Sequence, residues 1–254
     1  MTLALAFALA ALIGVSLGLL GGGGSILAVP VLVYVAGVDP RDAVGMSLAI
    51  VGTTSLVAGL LHRRSGQVDG RLAVVFGGLG IAGAWAGARL TRALRPELLL
   101  ALFALVMLAA GTAMLLRRPA EAPGPHSPPR RPRPLFLVPA ALALGVLTGF
   151  LGVGGGFLVV PALVVFARAP MKIAVGTSLF VIAANSATGW FAHLGEGDPH
   201  AGLTASFAAV AILGSIAGER LARRSPPATL RKAFALLVLA LGAAMLASNL
   251  RALL

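Results

Sequence analysis

The sequence contains no cysteine and few charged residues, and these two absences exclude large classes of protein. Without cysteine there is no disulfide, no thiolate metal site and no cysteine nucleophile. Charged residues make up only 11% of the chain, whereas soluble domains carry roughly a quarter. Hydrophobic residues reach 58%, which is more apolar surface than a soluble fold of this length can cover. Lipid is therefore the expected solvent for most of the chain.

Acidic residues are especially scarce, with 8 Asp and Glu against 20 Lys and Arg. Every one of them falls in a loop or at the edge of an apolar run, so we expect no buried acidic cation site or proton relay. The basic residues lie between the apolar runs, as in membrane loops that obey the positive-inside rule. They are not interleaved with aromatic residues, so a nucleic-acid partner is not expected.

Apolar runs of membrane-spanning length divide the chain into two similar halves. Residues 1–116 form a first transmembrane repeat, residues 117–134 a linker rich in proline and arginine, and residues 135–254 a second repeat. In each half, a long run broken by glycines precedes three runs that each predict one helix. The predicted fold class is thus an all-α polytopic membrane protein. A cleaved signal peptide is not expected, because the N-terminus has no basic region.

The second half repeats the first without a gap, which indicates an internal duplication. The matched pairs include Gly21 with Gly152, Pro30 with Pro161, His62 with His193, and Arg89 with Arg220. Apolar sequence of low complexity resembles itself through leucine and alanine, but not through these rarer residues together.

The number of crossings in each half decides whether the halves are parallel or inverted. Four crossings per half leave Lys and Arg evenly spread, whereas an odd number places most of them on one face. An odd number arises if the glycine break turns the chain back. The segment Ile26–Ala36 after the break is about 17 Å long as a helix, too short for a hydrocarbon core of about 30 Å. We therefore predict inverted repeats with re-entrant hairpins; a kinked continuous helix is the alternative.

Consecutive glycines inside a membrane helix persist where they are buried in protein or line a cavity. They expose backbone N–H groups, and the helix that begins after them adds the positive end of its dipole. Two such breaks predict a donor-rich anion site at the midplane. Close helix packing is the alternative role, and it better explains Gly83, Gly87, Gly214 and Gly218. The candidate substrate-binding residues are Gly22, Gly23, Gly24, Ser25, Ser47, Gly154, Gly155, Gly156, Thr177, Ser178 and Asn185.

Basic residues and histidines near helix ends have two roles to weigh. Arg41 and Lys172 lie at the start of the helix that follows the glycine-broken run in each half, where they either attract anions at the pathway entrance or anchor at the interface. His62 and His193 are expected at the interface rather than in a proton relay. Other residues expected at the interface are Arg89 and Arg220, with Glu97 and Glu219 as candidate partners.

The sequence contains no motif that predicts an enzyme, a cofactor site or a metal site once the neighbouring residues are considered. The glycine runs lack the lysine of a phosphate-binding loop and open no dinucleotide-binding unit. The expected partners are a small anionic substrate, the lipid bilayer and a coupling ion, proton or sodium, for which no residue is assigned. The oligomeric state is not specified by the sequence.

The duplicated glycine motif resembles the sulfite exporter TauE/SafE family, also called the TSUP family. The resemblance is carried by Gly18–Pro30 and Gly149–Pro161, and by Ala43–Leu48 and Ala174–Leu179. It implies a multi-pass transporter in the cytoplasmic membrane for sulfur-containing anions such as sulfite or organosulfonates. We expect transport by alternating access around the glycine breaks, and the Lys and Arg count places the linker on the cytoplasmic face with both termini on the opposite face. An anion channel and a non-transporting membrane scaffold or assembly protein are the alternatives.

Overall fold

The computed structural model describes residues 2–91, 96–116, 134–151, 156–193 and 200–253. For some of these residues only the backbone is described. The described residues form helices and short connections, as the sequence predicts. The first half contains α1 (Thr2–Leu20), a 3-10 turn (Gly22–Gly24), α2 (Ser25–Pro30) with its π-helical continuation Val31–Val35, α3 (Pro40–Arg64), α4 (Gly70–Thr91) and α5 (Pro96–Leu116). The second contains α6 (Pro134–Leu151), α7 (Val159–Val165), α8 (Met171–His193), α9 (Ala201–Arg224) and α10 (Pro227–Leu253).

Several helices have the length and surface of membrane spans. Among the described residues, four are long and apolar enough to cross a bilayer: Asp42–Arg64, Met171–Phe191, Ala201–Arg224 and Pro227–Ala247. Large apolar side chains, including Val74, Trp85 and Leu213, point away from the protein. Outward apolar side chains on apolar helices are what a hydrocarbon environment requires.

The chain reverses at the first glycine break. Gly21 has a φ of 74°, a conformation that glycine adopts without steric cost. A Cβ built on Gly24 would lie 2.6 Å from the carbonyl oxygen of Ile13 and 2.8 Å from Cγ of Leu17. In a continuous helix, residue 24 would lie about 16 Å beyond residue 13. The first break is therefore a hairpin rather than a kink.

Glycines bring α1 against α9, and α6 against α4. A Cβ on Gly14 would lie 1.9 Å from the carbonyl oxygen of Ala211. A Cβ on Gly145 would lie 2.4 Å from the carbonyl oxygen of Gly80. In the aligned halves Gly14 corresponds to Gly145, and Ala211 to Gly80, so the two contacts occupy equivalent positions. Small residues allow such close backbone approach in membrane bundles.

The helices α3 and α8 cross at the centre and run antiparallel. A Cβ on Gly52 would lie 3.0 Å from Cβ of Ser186, and one on Gly59 would lie 3.1 Å from the ring of Phe180. Residue numbers therefore rise along α3 as they fall along the facing side of α8. The crossing places the middle of each helix inside the protein.

The half-helix of each half ends in a similar turn. Gly37 has a φ of 72° and its aligned counterpart Arg168 a φ of 52°. The amide of Val38 donates to the carbonyl of Leu32 over 3.0 Å, and the equivalent bond is present in the second half. The turn therefore requires a left-handed residue in each half.

Replacing Gly37 by alanine should lower stability through backbone strain alone. A Cβ built there has nothing within 4 Å, so the cost is that of a left-handed non-glycine residue, about 1 kcal/mol. We expect a melting temperature lower by a few degrees in detergent. The matched control is Gly45→Ala, which is equally uncrowded but helical and should gain stability. Equal melting temperatures for the two variants would contradict the assignment.

Candidate functional site

The first break packs against the described end of the second. A Cβ built on Gly22 would lie 2.4 Å from the carbonyl oxygen of Gly156 and 2.7 Å from Cα of Phe157. A Cβ on Gly156 would in turn lie 3.2 Å from Oγ of Ser25. These residues therefore come together although they lie in different halves of the chain. Gly154 and Gly155 lie outside the described residues.

One face of α8 contacts both breaks. A Cβ on Gly21 would lie 2.6 Å from Oγ of Ser178 and 3.2 Å from the carbonyl oxygen of Val175. One turn further along α8, Ile182 lies 3.2 Å from the Cβ position of Gly156. The first break and the described end of the second therefore contact each other, and both pack against the same face of α8.

The buried serines of the site donate to the backbone of their own helical segments. Ser25 Oγ donates to the carbonyl of Gly22 over 2.7 Å, Ser47 to Val44 over 2.8 Å, and Ser178 likewise within α8. A hydroxyl in this state offers a ligand only lone pairs, so it must turn before it can donate to an anion. At the start of the helical run Gly22–Val35, by contrast, the first backbone N–H groups lack intrahelical acceptors, as at the start of any helix.

The four consecutive glycines face different neighbours. Gly21 and Gly22 face α8 and the second break, whereas the Cβ position of Gly23 lies 3.2 Å from Leu237 of α10. Gly24 faces α1. Gly21, Gly22 and Gly23 therefore face the second half, but only Gly21 and Gly22 face α8 and the second break.

Three further polar residues lie in the segments of α3 and α8 that cross each other. Thr54 Oγ1, Ser55 Oγ and Asn185 Oδ1 are buried and have no hydrogen-bond partner among the described residues. An unpaired buried polar group costs about 1–3 kcal/mol, so such groups in a folded protein call for a functional explanation. We call these three residues the crossing cluster. Asn185 belongs to the predicted site, whereas Thr54 and Ser55 do not. Thr54 occupies the position of Asn185 in the aligned halves, and this match is the sequence signal that could have identified it.

The predicted residue Thr177 faces a loop rather than a break. Its Oγ1 accepts a hydrogen bond from the backbone N–H of Asp69 over 2.9 Å. Beside it, a Cβ on Gly176 would lie 2.1 Å from the carbonyl oxygen of Gln67. The loop between α3 and α4 therefore rests directly on the first turns of α8.

Of the two candidate entrance residues, the structure describes the side chain of one. Lys172 Nζ donates to the backbone carbonyl of Arg223 over 2.9 Å. A cation at the last carbonyls of a helix stabilises its negative end, so Lys172 anchors the end of α9. Arg41 lies in the first turn of α3, and its side chain is outside the described part.

Burial of a carboxylate and a histidine corrects the sequence-based expectation for both. Glu219 is 2% exposed and His62 is fully buried. Glu219 Oε1 lies 2.9 Å from Nε of Arg223 and accepts from Ser65 Oγ at 3.1 Å, while Arg220 is exposed. Helices α1 and α3 cover this face of α9, so a carboxylate at the edge of an apolar run still lies inside the protein.

A cavity of about 530 Å³ lies between α5, α6 and α7. Its lining is apolar and includes Ala110, Leu147, Leu158 and Phe166. Such a lining supplies no donor for an anion, so the glycine breaks and the crossing cluster remain the candidate polar site.

Apolar helices of spanning length, packed around a chain reversal at the first glycine run, define a polytopic membrane protein. Residues 6–245 match the sequence model of the family described as Sulfite exporter TauE/SafE. The chain belongs to this family.

Relatives from bacteria and a plant carry related names. A "Probable membrane transporter protein" of Xylella fastidiosa is 39% identical over 172 residues, which cover 67% of this chain and 66% of the relative. "Probable membrane transporter protein YdhB" of Bacillus subtilis is 25% identical over 226 residues, or 87% of this chain and 91% of the relative. "Sulfite exporter TauE/SafE family protein 1" of Arabidopsis thaliana is 36% identical over 88 residues, 35% of this chain and 19% of the relative. No solved structure matches the chain. These names describe transporters rather than enzymes, as the sequence predicts.

Proposed function

We propose that this protein is a secondary transporter that moves a small anion, a sulfur-containing oxyanion or organosulfonate, across the cytoplasmic membrane. The observation that carries the proposal is the meeting of Gly22 with Gly156 between the two halves. Side chains are absent there, backbone N–H groups begin a half-helix, and its dipole favours a negative ligand. The substrate class rests on the family description and on the name of the plant relative.

Helix directions support an inverted arrangement of the two halves. Aligned helices α3 and α8 run antiparallel, and so do α5 and α10, where Gly111 faces Leu239 and Gly242 faces Met107. A twofold axis that relates antiparallel membrane helices lies in the membrane plane. The linker 117–134 is then cytoplasmic, and both termini lie on the opposite face.

Alternating access would use the two polar regions on α8. Ser178 at the breaks and Asn185 in the crossing cluster lie about two helical turns, or about 10 Å, apart along α8. An anion that left the breaks along α8 would next meet Asn185, whose amide N–H groups can donate to it. The hydroxyl of Thr54, which is buried without a partner among the described residues, is a further donor on α3.

Transport can be tested with purified protein and a panel of sulfur anions. We expect sulfite or an organosulfonate to raise the melting temperature in detergent, while chloride at the same ionic strength does not. In proteoliposomes, unlabelled substrate inside should accelerate uptake of the labelled anion. That counterflow is the signature of a carrier, and passive uptake without it would favour a channel. If no anion of the panel raised the melting temperature and none showed counterflow, the proposal would be contradicted.

Replacing Asn185 by leucine should weaken the binding of that anion. A hydrogen bond to a charged group contributes about 1.5–3 kcal/mol, so we expect affinity to fall by about 10- to 150-fold. Folding should be retained, because Asn185 Oδ1 has no protein partner among the described residues. The control is Thr188→Val on the exposed side of the same helix, where the hydroxyl bonds only to Ala184. Equal binding by the two variants would remove Asn185 from the site.

A further inference from the structure

The apolar cavity between α5, α6 and α7 is open to the exterior and is lined along a similar length of each helix. Its walls are the stretches Val106–Ala113, Pro139–Leu147 and Leu158–Phe166. At 1.5 Å per residue, each stretch is about 10–12 Å long. The hydrocarbon of one bilayer leaflet is about 15 Å deep, half of a core of about 30 Å. The cavity therefore covers most of the depth of one leaflet.

One end of the cavity lies at a strongly basic surface. Phe166 at this end is followed by the turn that leads to α8, and Lys172 of α8 bonds to the end of α9. The end of α3 lies there too, because Ser65 donates to Glu219 of α9. We call this surface the basic face. The exposed basic residues on these segments and on the starts of α4 and α10 include Arg63, Arg64, Arg71, Arg168, Arg224 and Lys232.

The other end of the cavity lies beside the second glycine break. Leu158 lines it and follows directly after Phe157, whose Cα lies 2.7 Å from the Cβ position of Gly22. Every described residue of the lining is apolar, so a water molecule would find no side-chain partner there. An empty groove would lose the dispersion contacts of its lining atoms. A hydrocarbon is therefore the ligand that the cavity suits.

Small residues open this cavity in the second half of the bundle, whereas larger residues occupy the aligned positions of the other repeat. The pairs are Ala110 with Leu241, Ala140 with Leu9, Ala143 with Leu12, and Ala162 with Val31. Because the same arrangement of helices accommodates leucine and valine at one set of positions, helix packing does not itself require alanine at the other. The alanines therefore make this cavity a specific feature of α5, α6 and α7.

We propose that the cavity binds one acyl chain of an anionic phospholipid from the leaflet at the basic face. The chain lies between the three helices with its methyl end toward Leu158, and the headgroup lies at the level of Arg168. Arg168 is exposed, two residues beyond Phe166, and has no ion-pair partner among the described residues. One basic residue near a membrane surface strengthens the binding of an anionic lipid by about fivefold.

The charge around the headgroup position favours an anionic lipid over a zwitterionic one. The described carboxylates of the basic face are Glu219 and Asp69. Glu219 is buried and paired with Arg223, and Asp69 accepts the backbone amides of Arg71 and Leu72. These contacts occupy both carboxylates, so the exposed guanidinium and ammonium groups set the sign of the surface.

Native mass spectrometry of the purified protein in detergent, with added palmitoyl-oleoyl phosphatidylglycerol, tests the site. We expect wild-type protein to retain one such lipid after the surrounding lipid is stripped, and to prefer it to phosphatidylcholine with the same chains. In the double variant Ala110→Leu, Ala143→Leu, each new side chain copies the aligned residue and occupies the space of the acyl chain. The resulting overpacking should lower retention by at least about fivefold. The control Ala209→Leu, on the exposed side of α9, should retain the lipid as the wild type does.

Arg168→Gln distinguishes the headgroup contact from the chain contact. It removes the charge and leaves the cavity open, so retention of phosphatidylglycerol should fall by about fivefold while retention of phosphatidylcholine is unchanged. Arg168→Lys should keep the preference for phosphatidylglycerol. Equal retention of the two lipids by wild-type protein would overturn the assignment of an anionic headgroup.

Thermal unfolding separates loss of the lipid from loss of the fold. The double variant fills open space, so in lipid-free detergent it should melt at or above the temperature of the wild type. Added phosphatidylglycerol should raise the melting temperature of the wild type but not that of the double variant. Equal lipid retention by these two proteins would overturn the proposal. A wild-type dimer that the same substitutions dissociate would also overturn it, because a second copy of this chain would then fill the cavity.

Discussion

Gly22→Ala is expected to reduce transport by at least about 100-fold, the cost of misplacing a preorganised site by about 1 Å. The new Cβ would lie 2.4 Å from the carbonyl oxygen of Gly156 and 2.7 Å from Cα of Phe157. Both contacts are with backbone, which cannot turn aside as a side chain can. The two breaks would have to separate by about 1 Å to restore van der Waals distance. Counterflow in proteoliposomes, normalised to the amount of folded protein, measures the loss.

The neighbouring variant Gly23→Ala is the matched comparison. Its Cβ would lie 3.2 Å from Cδ2 of Leu237, the far end of a side chain that can adopt another rotamer. We expect transport within about threefold of the wild type. Comparable losses in both variants would mean that the run acts through flexibility alone. Normal transport by Gly22→Ala would contradict the close meeting of the two breaks.

Gly14→Ala is expected to cause the largest loss of stability among the single glycine changes considered. Its Cβ would lie 1.9 Å from the carbonyl oxygen and 2.8 Å from Cα of Ala211, so α1 and α9 must move apart. Overpacking of this kind costs about 3 kcal/mol, or about 6–12 °C in melting temperature for a chain of this length. Thermal unfolding in detergent measures the effect.

Two further alanine variants define how specific that effect is. Gly145→Ala, in the aligned position, meets the carbonyl oxygen of Gly80 at 2.4 Å and should destabilise the α6–α4 contact similarly. Gly78→Ala has nothing within 4 Å of its Cβ and should be neutral or stabilising, because alanine favours helix over glycine. A melting temperature for Gly14→Ala equal to that of Gly78→Ala would refute the close packing of α1 on α9.

The sequence predicted the helical membrane class correctly because composition alone decides it. A hairpin was favoured from the shortness of Ile26–Ala36, and the position of Gly24 against Ile13 confirms the reversal. Asn185 was selected because an amide is rare within an apolar run; its Oδ1 is buried and has no partner among the described residues, and its role in binding stays a prediction. The predictions of the helical class and of the first reversal succeeded because each depends on properties local to one segment of chain.

Other features of the site depend on which helices become neighbours. Glu219 looked peripheral along the chain, yet α9 lies against α1 and α3, which bury it. His62 likewise ends a helix in sequence but contacts Gly18, forty-four positions away. The glycine run looked uniform, and only the surrounding helices separate the roles of Gly22 and Gly23.

By itself, the sequence determined that this is a membrane protein, that it carries glycine runs at two places, and that acidic residues are kept out of the interior of its apolar runs. These properties follow from composition and spacing, which act within a single segment. Only the tertiary structure decided that Gly22 meets Gly156, that α3 crosses α8 antiparallel, and that His62 contacts Gly18. Such contacts join segments that are remote in sequence. Many of them depend on the close approach of two backbones at a glycine. Because glycine has no side chain, the sequence does not indicate which segment it will contact.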